Sequence, residues 1–303
     1  MTTPSAPQLT PTTWALLILL SIIWGGSFLF ARIAVQEVPP LTLVLARVSL
    51  AAIALSLLLL WRRNDFLHTW KLWGAFAVMG ILNNIIPFAF IFYGQKEIGA
   101  GLAAIINAMT PVWTVIIAHL VTRDEQVSLN KVAGIALGFL GVAILIGSEA
   151  FAGLSSSVFS QALVIGATIS YGFASVFGRR FARVPPIETA RGQLTMSTFI
   201  MVPIALSIDM PWTLPMPSSA AIWSIILLAF VCSAYAYILF FRILSSAGAV
   251  NASLVTLLVP ISAVILGILV LGEALALRQL LGMAIIMAGL IVIDGRLLTQ
   301  TKT

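Results

Sequence analysis

One segment of this chain occurs twice. Residues 99–125 begin Gly-Ala-Gly-Leu-Ala-Ala-Ile-Ile-Asn-Ala-Met-Thr-Pro, run almost uncharged from Val112 to Val121, and end Thr-Arg-Asp-Glu. Residues 248–273 begin Gly-Ala-Val-Asn-Ala-Ser-Leu-Val-Thr-Leu-Leu-Val-Pro, continue apolar, and end Leu-Gly-Glu. Gly99 pairs with Gly248, Ala100 with Ala249, Pro111 with Pro260 and Asp124 with Glu273, each at an offset of 149. Each copy carries a proline near the middle of an apolar span. In water that argues against a helix, because proline removes an amide donor and crowds the preceding turn. In a bilayer it is tolerated where neighbouring helices and small polar residues satisfy the freed carbonyl. The duplication therefore predicts two bent membrane helices, each marking a bend that lines a cavity.

Composition agrees. Of 303 residues, 60% are hydrophobic and 9% charged, where a soluble domain carries about 25% charged residues. Mean hydropathy is +1.10. A spanning helix needs roughly 20 apolar residues. Ten such runs are legible, at about 14–35, 41–61, 72–94, 100–121, 132–148, 160–178, 188–208, 219–241, 248–270 and 277–294. The expected fold is an all-α integral membrane protein. Five helices fall in 14–148 and five in 160–294. Because five is odd, the second set starts on the opposite side of the bilayer, which makes the repeat inverted. Weaker repeat marks agree: Trp24-Gly25 with Tyr171-Gly172, Pro39-Pro40 with Pro185-Pro186, and Gly134 and Gly141 with Gly282 and Gly289.

The formal charge of +6 reads as cytoplasmic-loop lysine and arginine; no basic cluster is long enough for nucleic acid. With the N-terminus inside, one side holds Arg62, Arg63, Lys71, Arg123, Lys131, Arg179, Arg180, Arg183, Arg242, Arg296 and Lys302, and the other only Arg32, Lys96 and Arg278. Both termini are therefore expected in the cytoplasm. Residues 1–13 are polar and lack Lys and Arg, so the first run reads as a retained helix and not as a signal peptide. The single cysteine, Cys232, excludes an internal disulfide.

The motif Trp24-Gly25-Gly26-Ser27-Phe28, the Gly-Ala…Pro segments of the fourth and ninth runs and the acidic turn after each resemble the drug/metabolite transporter superfamily, in its ten-helix EamA-type branch. The similarity covers nearly the whole chain. It implies a secondary carrier of the bacterial inner membrane that exports small metabolites, with amino-acid exporters, aromatic ones among them, the nearest in appearance. The second copy departs from the pattern, with Tyr171 for the tryptophan and Gly172-Phe173-Ala174 for Gly-Gly-Ser. Unequal contributions of the halves to substrate contact follow.

The polar residues within the spans give the candidate site. Asn107, Pro111 and Thr114 share one face of the fourth run with small residues, and Ser253, Thr256 and Pro260 share the equivalent face of the ninth. Such faces pack helices closely or line aqueous cavities. Two symmetric proline-bearing faces favour the cavity. In the third run Asn83 and Asn84 adjoin Pro87 and Phe88; adjacent residues cannot face the same way, so one lines a cavity and one packs. Tyr235 and Tyr237 of the eighth run lie at corresponding depth, and rings with polar tips suit solutes of mixed polarity. Candidate substrate contacts are thus Trp24, Asn83, Asn84, Phe88, Asn107, Tyr171, Tyr235, Tyr237, Ser253 and Thr256, with hinges at Pro87, Pro111 and Pro260. Trp113 is a further deep candidate. Trp14, Trp61, Trp70, Trp73, Trp212 and Trp223 read as interfacial belt.

Arg47 and Arg191 lie a turn or two inside their spans. Snorkelling or structural pairing is the first reading and binding of a substrate carboxylate the second. Gly134 and Gly138 form a small-xxx-small pair, expected to pack the fifth helix on its own half, with dimerisation as the alternative. No metal, cofactor or catalytic constellation is legible: His68 and His119 stand apart, no two acidic residues share mid-span depth, and no phosphate-binding Gly-x-x-x-x-Gly-Lys occurs. The expected activity is facilitative, alternating-access export of amino acids or similar metabolites by a monomer or weak homodimer. A multidrug or nucleotide-sugar-like carrier is the alternative within transport. A lipid-modifying membrane enzyme is the alternative from another class.

Overall fold

The computed structural model describes residues 10–61, 69–121, 129–147 and 156–294. Ten helices are described: α1 (Pro11–Ala34), α2 (Pro40–Trp61), α3 (Trp70–Gly94), α4 (Ala100–Val121), α5 (Leu129–Ile146), α6 (Ser156–Phe181), α7 (Pro186–Ile208), α8 (Ser219–Leu244), α9 (Val255–Leu271) and α10 (Leu277–Asp294). No strand occurs among the described residues. Eight of these helices are long and apolar enough to span a bilayer, and α9 is a shorter apolar helix. The exception in composition is α7, which carries Glu188, Arg191, Gln193 and several hydroxyls in 23 residues. Its polar side is buried: Arg191, Gln193 and Ser197 are each less than a tenth exposed. The basic residues Arg62, Arg63, Arg123, Arg296 and Lys302 lie outside the described residues, as do Asp124 and His68.

The two halves interlock. α2 packs along α7, α1 along α8 and α9, α3 along α6 and α7, and α4 against α6 and α9. Glycine allows the closest approaches. A Cβ on Gly25 would lie 2.8 Å from the Ala263 nitrogen in α9, and one on Gly172 would lie 3.1 Å and 3.2 Å from the Trp113 and Thr114 backbone in α4. Thr114 and Ala263 are again 149 apart, so the Trp-Gly and Tyr-Gly motifs make equivalent crossings in the two copies.

α5 and α10 form a peripheral pair. A Cβ on Gly134 would meet the Gly289 carbonyl at 2.6 Å, and one on Gly141 the Gly282 carbonyl at 2.8 Å. The expectation that α5 packs on its own half holds for Gly138, where a Cβ would lie 3.0 Å from Val112 Cγ2 of α4, and is corrected for Gly134 and Gly141, which meet the opposite half. The reason is reciprocity, since Gly282 and Gly289 supply a matching small face.

Several of the helices are interrupted along their length. In α3 a π-helical turn occupies Ile81–Ile85, and in α8 one occupies Phe230–Tyr235. Their starts, 81 and 230, differ by the same 149. Such turns widen the hydrogen-bond ladder and recur at functional sites. Pro87, at the start of the α-helical turn that follows the first, cannot donate to it. α4 breaks at Ala108–Met109, with Pro111 just beyond. The second copy differs. Gly248 breaks the chain with φ 80° and ψ 166°, the short helix after it ends at Ala252, and Pro260 sits inside the continuous α9, six residues beyond the turn at Leu254. The ninth span, expected from 248, therefore becomes a continuous helix only at Val255.

Candidate functional site

A cavity of about 570 Å³ lies between the two halves. It is lined by α1, α3, α4, α6, α8 and the α9 segment, with Arg47 from α2 and Thr189 and Gln193 from α7 completing the wall. α5 and α10 contribute nothing to it. At one end its lining residues Phe28, Ala31, Ile91 and Phe92 are buried. At the other, Ser175 and Ser253 are exposed. The cavity is thus open at the end that carries Arg179, Arg180 and Arg242, and closed at the opposite end.

The closed end is laced by three carboxylates, each reaching from one half to a helix N-terminus of the other. Glu273, after α9, accepts from the backbone N–H of Ala100 at 2.6 Å and of Gly101 at 2.9 Å, at the start of α4. Asp209, after α7, accepts from the N–H and hydroxyl of Thr42 at 2.7 and 2.9 Å, at the start of α2. Glu37, between α1 and α2, accepts from the N–H and hydroxyl of Ser218, both at 2.6 Å, at the start of α8. These hydrogen bonds hold the Glu37 carboxyl below its usual range, the hydroxyl contributing most. Each carboxylate satisfies amides that a first helical turn leaves without partners and sits at the positive end of the helix dipole. Beneath them the Arg32 guanidinium donates to the Gln95 carbonyl, and the Gln95 side chain donates to the Phe28 carbonyl at 2.9 Å.

Within the cavity one polar group joins three helices. Asn83, in the π-helical turn of α3, donates to Gln193 Oε1 at 3.0 Å and to the Tyr237 hydroxyl at 3.2 Å. Arg47 donates from Nε to the Ser233 hydroxyl at 3.0 Å, and that hydroxyl donates to the Leu228 carbonyl at 2.9 Å across the π-helical turn of α8. The Arg47 guanidinium carbon sits 3.9 Å above the Phe88 ring centroid. An aromatic wall runs from Trp24 to Phe240 (5.6 Å between centroids), to Phe241 (5.6 Å) and to Tyr237 (6.1 Å). Asn107, at the end of the first α4 segment, lines the cavity, and its Oδ1 is buried with no hydrogen-bond partner.

Of the sequence-derived candidates, Trp24, Asn83, Phe88, Asn107, Tyr171, Tyr237, Ser253 and Thr256 lie on the cavity wall together with Pro111 and Pro260. Three do not. Asn84 is fully buried and donates to Ser197 of α7 at 3.1 Å, which makes it a packing residue. Pro87 is buried beside the wall without facing the space. Tyr235 is 47% exposed and away from the cavity. Residues two apart on a helix point to nearly opposite sides, so Tyr235 and Tyr237 cannot share one face. Trp113 packs edge-on against Phe139 of α5 at 5.4 Å, outside the cavity.

For Arg47, of the two roles in the first reading, snorkelling and structural pairing, the contacts fit the second. It is 6% exposed and turned into the protein, held by Ser233 and Phe88, and does not snorkel. Gln193 went unread because a glutamine near a span end carries no periodic signal of its own.

The sequence matches the EamA-like transporter family twice, over residues 12–147 and 158–294. Among similar proteins, the uncharacterized transporter YoaV of Bacillus subtilis is 22% identical over 90% of this chain and 94% of its own length. The uncharacterized inner membrane transporter YedA of Escherichia coli is 28% identical over 97% and 94%. A probable amino-acid metabolite efflux pump of Salmonella typhimurium is 25% identical over 91% and 92%. A solved crystal structure aligns with a TM-score of 0.66 over 95% of this chain and 98% of that one, at 19% identity. Two family matches that together span nearly the whole chain make this protein a member of the EamA-like transporter family.

Proposed function

We propose that this chain is a secondary carrier that exports amino acids, aromatic and other hydrophobic ones preferred, or similar small metabolites across the bacterial inner membrane. It works by alternating access, and residues 14–148 and 160–294 are the inverted repeats that rock about the central cavity. The observation that carries the reading is that cavity: about 570 Å³, within the range of small-molecule sites, walled by both halves, open at one end and capped at the other. Trp24, Phe88, Tyr171 and Tyr237 supply apolar contact, with Asn83, Asn107, Ser253 and Thr256 as hydrogen-bonding groups. The name of the Salmonella relative, an amino-acid metabolite efflux pump, supports the substrate class.

Placing the basic end in the cytoplasm follows the distribution of lysine and arginine. The termini are then cytoplasmic, and the open end faces the cell interior. Transport is facilitative. The described residues lining the cavity include no Asp, Glu or His, so the wall offers no carboxylate or imidazole to carry a proton across. In proteoliposomes holding the pure protein, labelled aromatic amino acids are expected to enter down their gradient, with a rate unchanged by a protonophore. Failure of every amino acid in a labelled panel to move would reject the substrate class. Uphill accumulation driven by an imposed pH gradient would reject the facilitative mechanism.

A further inference from the structure

We infer that Arg47 is the receptor for a carboxylate on the transported molecule, and that the cavity selects for this carboxylate and an apolar body, with little demand for an ammonium group. The inference rests on the reading of the cavity as the transport site and deepens it.

Arg47 sits eight residues into α2, about 11 Å along a helix axis from its start. It is 94% buried, the complement of its 6% exposure. Two contacts fix its plane. Nε donates to Ser233, whose own proton is committed to the Leu228 carbonyl, and the guanidinium lies flat over Phe88. A guanidinium has five N–H groups, and only one is used here. Among the described residues neither Nη1 nor Nη2 has a hydrogen-bond partner. No acidic residue is among those lining the cavity, so Arg47 is the single charged side chain of the described wall.

A buried cation inside a membrane protein needs a counter-charge. The two Nη groups form one edge of the fork, matched to both oxygens of a carboxylate. With Nε held by Ser233, that edge is the part left for a ligand. The aromatic wall of Trp24, Phe240, Phe241 and Tyr237 shares the same space and takes an apolar body. For an ammonium group the wall offers only neutral acceptors, chief among them the unpartnered Asn107 Oδ1. Removing the ammonium from a ligand therefore forfeits one charge-assisted hydrogen bond to a neutral acceptor, and removes with it the cost of desolvating the ammonium. Removing the carboxylate forfeits an ion pair and leaves the buried guanidinium unmatched. The two losses differ because the carboxylate pairs charge with charge through two N–H groups, whereas the ammonium meets only a neutral oxygen, and a ligand without the carboxylate strips water from the guanidinium without replacing it by a counter-charge.

The test is competition binding on the purified protein in nanodiscs, read through tryptophan fluorescence, with four probes of one shape. L-Phenylalanine and 3-phenylpropionate carry the carboxylate; L-phenylalaninamide and 2-phenylethylamine do not. The two acids are expected to bind within about fivefold of each other, and the amide and amine at least about tenfold more weakly than phenylalanine. Arg47→Gln is expected to abolish that preference, bringing acid and amide to within about twofold. The wild-type panel needs no variant, so a poorly folding Arg47→Gln leaves the test intact. Equal binding of phenylalanine and its amide, binding of the amine alone, or no binding of either acid would overturn the inference. Arg47-dependent binding of the acids without movement of any amino acid in proteoliposomes would uphold the anchor while defeating the transport reading.

Discussion

Glu273 is the place where a single substitution should alter which end of the carrier is open. Its carboxylate accepts two backbone N–H groups of the first turn of α4, at 2.6 and 2.9 Å. The acceptor comes from one half and the amides from the other. The pocket is built for it: a Cβ on Gly99 would lie 2.7 Å from Glu273 Cδ, and one on Gly267 2.6 Å from Oε2. Charge-assisted hydrogen bonds contribute about 1.5–3 kcal/mol each. An outer cleft of about 590 Å³ adjoins Glu273, so water can rehydrate the freed amides, and the lower figure applies. Two bonds at the lower figure amount to about 3 kcal/mol, or about a hundredfold in the closed-to-open ratio at that end. Glu273→Ala is expected to show that shift. Glu273→Gln, which keeps an oxygen acceptor but loses the charge, is expected to show about a tenth of it. The assay is the rate at which an impermeant maleimide labels Leu102→Cys, placed in a Cys232→Ser background. Leu102 lines the outer cleft and is 7% exposed. Gly99→Ala, which crowds the carboxylate, should imitate Glu273→Ala. Labelling rates unchanged in all three variants would refute the reasoning, because the caps would then not hold that end shut.

Three further outcomes follow from the geometry. Tyr237→Ala should weaken binding of aromatic amino acids by about tenfold, since a cavity-facing ring contributes about 1 kcal/mol beyond its buried area, while Tyr235→Ala should stay within about twofold in the same competition assay. Pro111→Ala restores a backbone donor just beyond the break in α4, and about 1 kcal/mol of added helix rigidity should slow exchange about fivefold with substrate affinity unchanged, as measured by counterflow. The Glu37 carboxyl is held below its ordinary value of 4.5, so its tie to Ser218 is fully present above that value and is lost as pH falls through the lowered one; unfolding midpoints of wild type and Glu37→Gln should therefore differ at neutral pH and converge on acidification through the lowered value.

Much of this architecture was legible because membrane burial imposes length and periodicity. Ten apolar runs, the proline pair and the small-residue faces of α4 and α9 each announce themselves in one dimension. The glycines of α5 were legible as a packing face, but not which helix they meet, since the partner face at Gly282 and Gly289 lies in the other copy. The π-helical turns left no signature: one extra residue in a turn changes no composition, and the second, at Phe230–Tyr235, has no proline beside it. For Arg47 the sequence left snorkelling and structural pairing open together, because its place near a span end fits both, and only the contacts with Ser233 and Phe88 show that it turns inward. Tyr235 was grouped with Tyr237 by depth alone, which ignores the half-turn between them. Glu273 was legible as part of the repeated acidic turn, but the capping role of Glu37, Asp209 and Glu273 was not, because their partners include backbone amides more than 160 residues away.

The central claim is that one cavity opens alternately at its two ends. The most direct measurement places spin-label pairs at both. Lys96 and Ala274 are exposed on the two halves at the closed end, and Lys71 and Ser246 are exposed on the two halves at the open end. Distance distributions are read by pulsed electron paramagnetic resonance with and without a transported amino acid. On this account a second population appears on substrate addition, in which the Lys96–Ala274 distance lengthens and the Lys71–Ser246 distance shortens in equal proportion. Ends that widen together, or a single fixed distribution at both ends while transport proceeds, would contradict it.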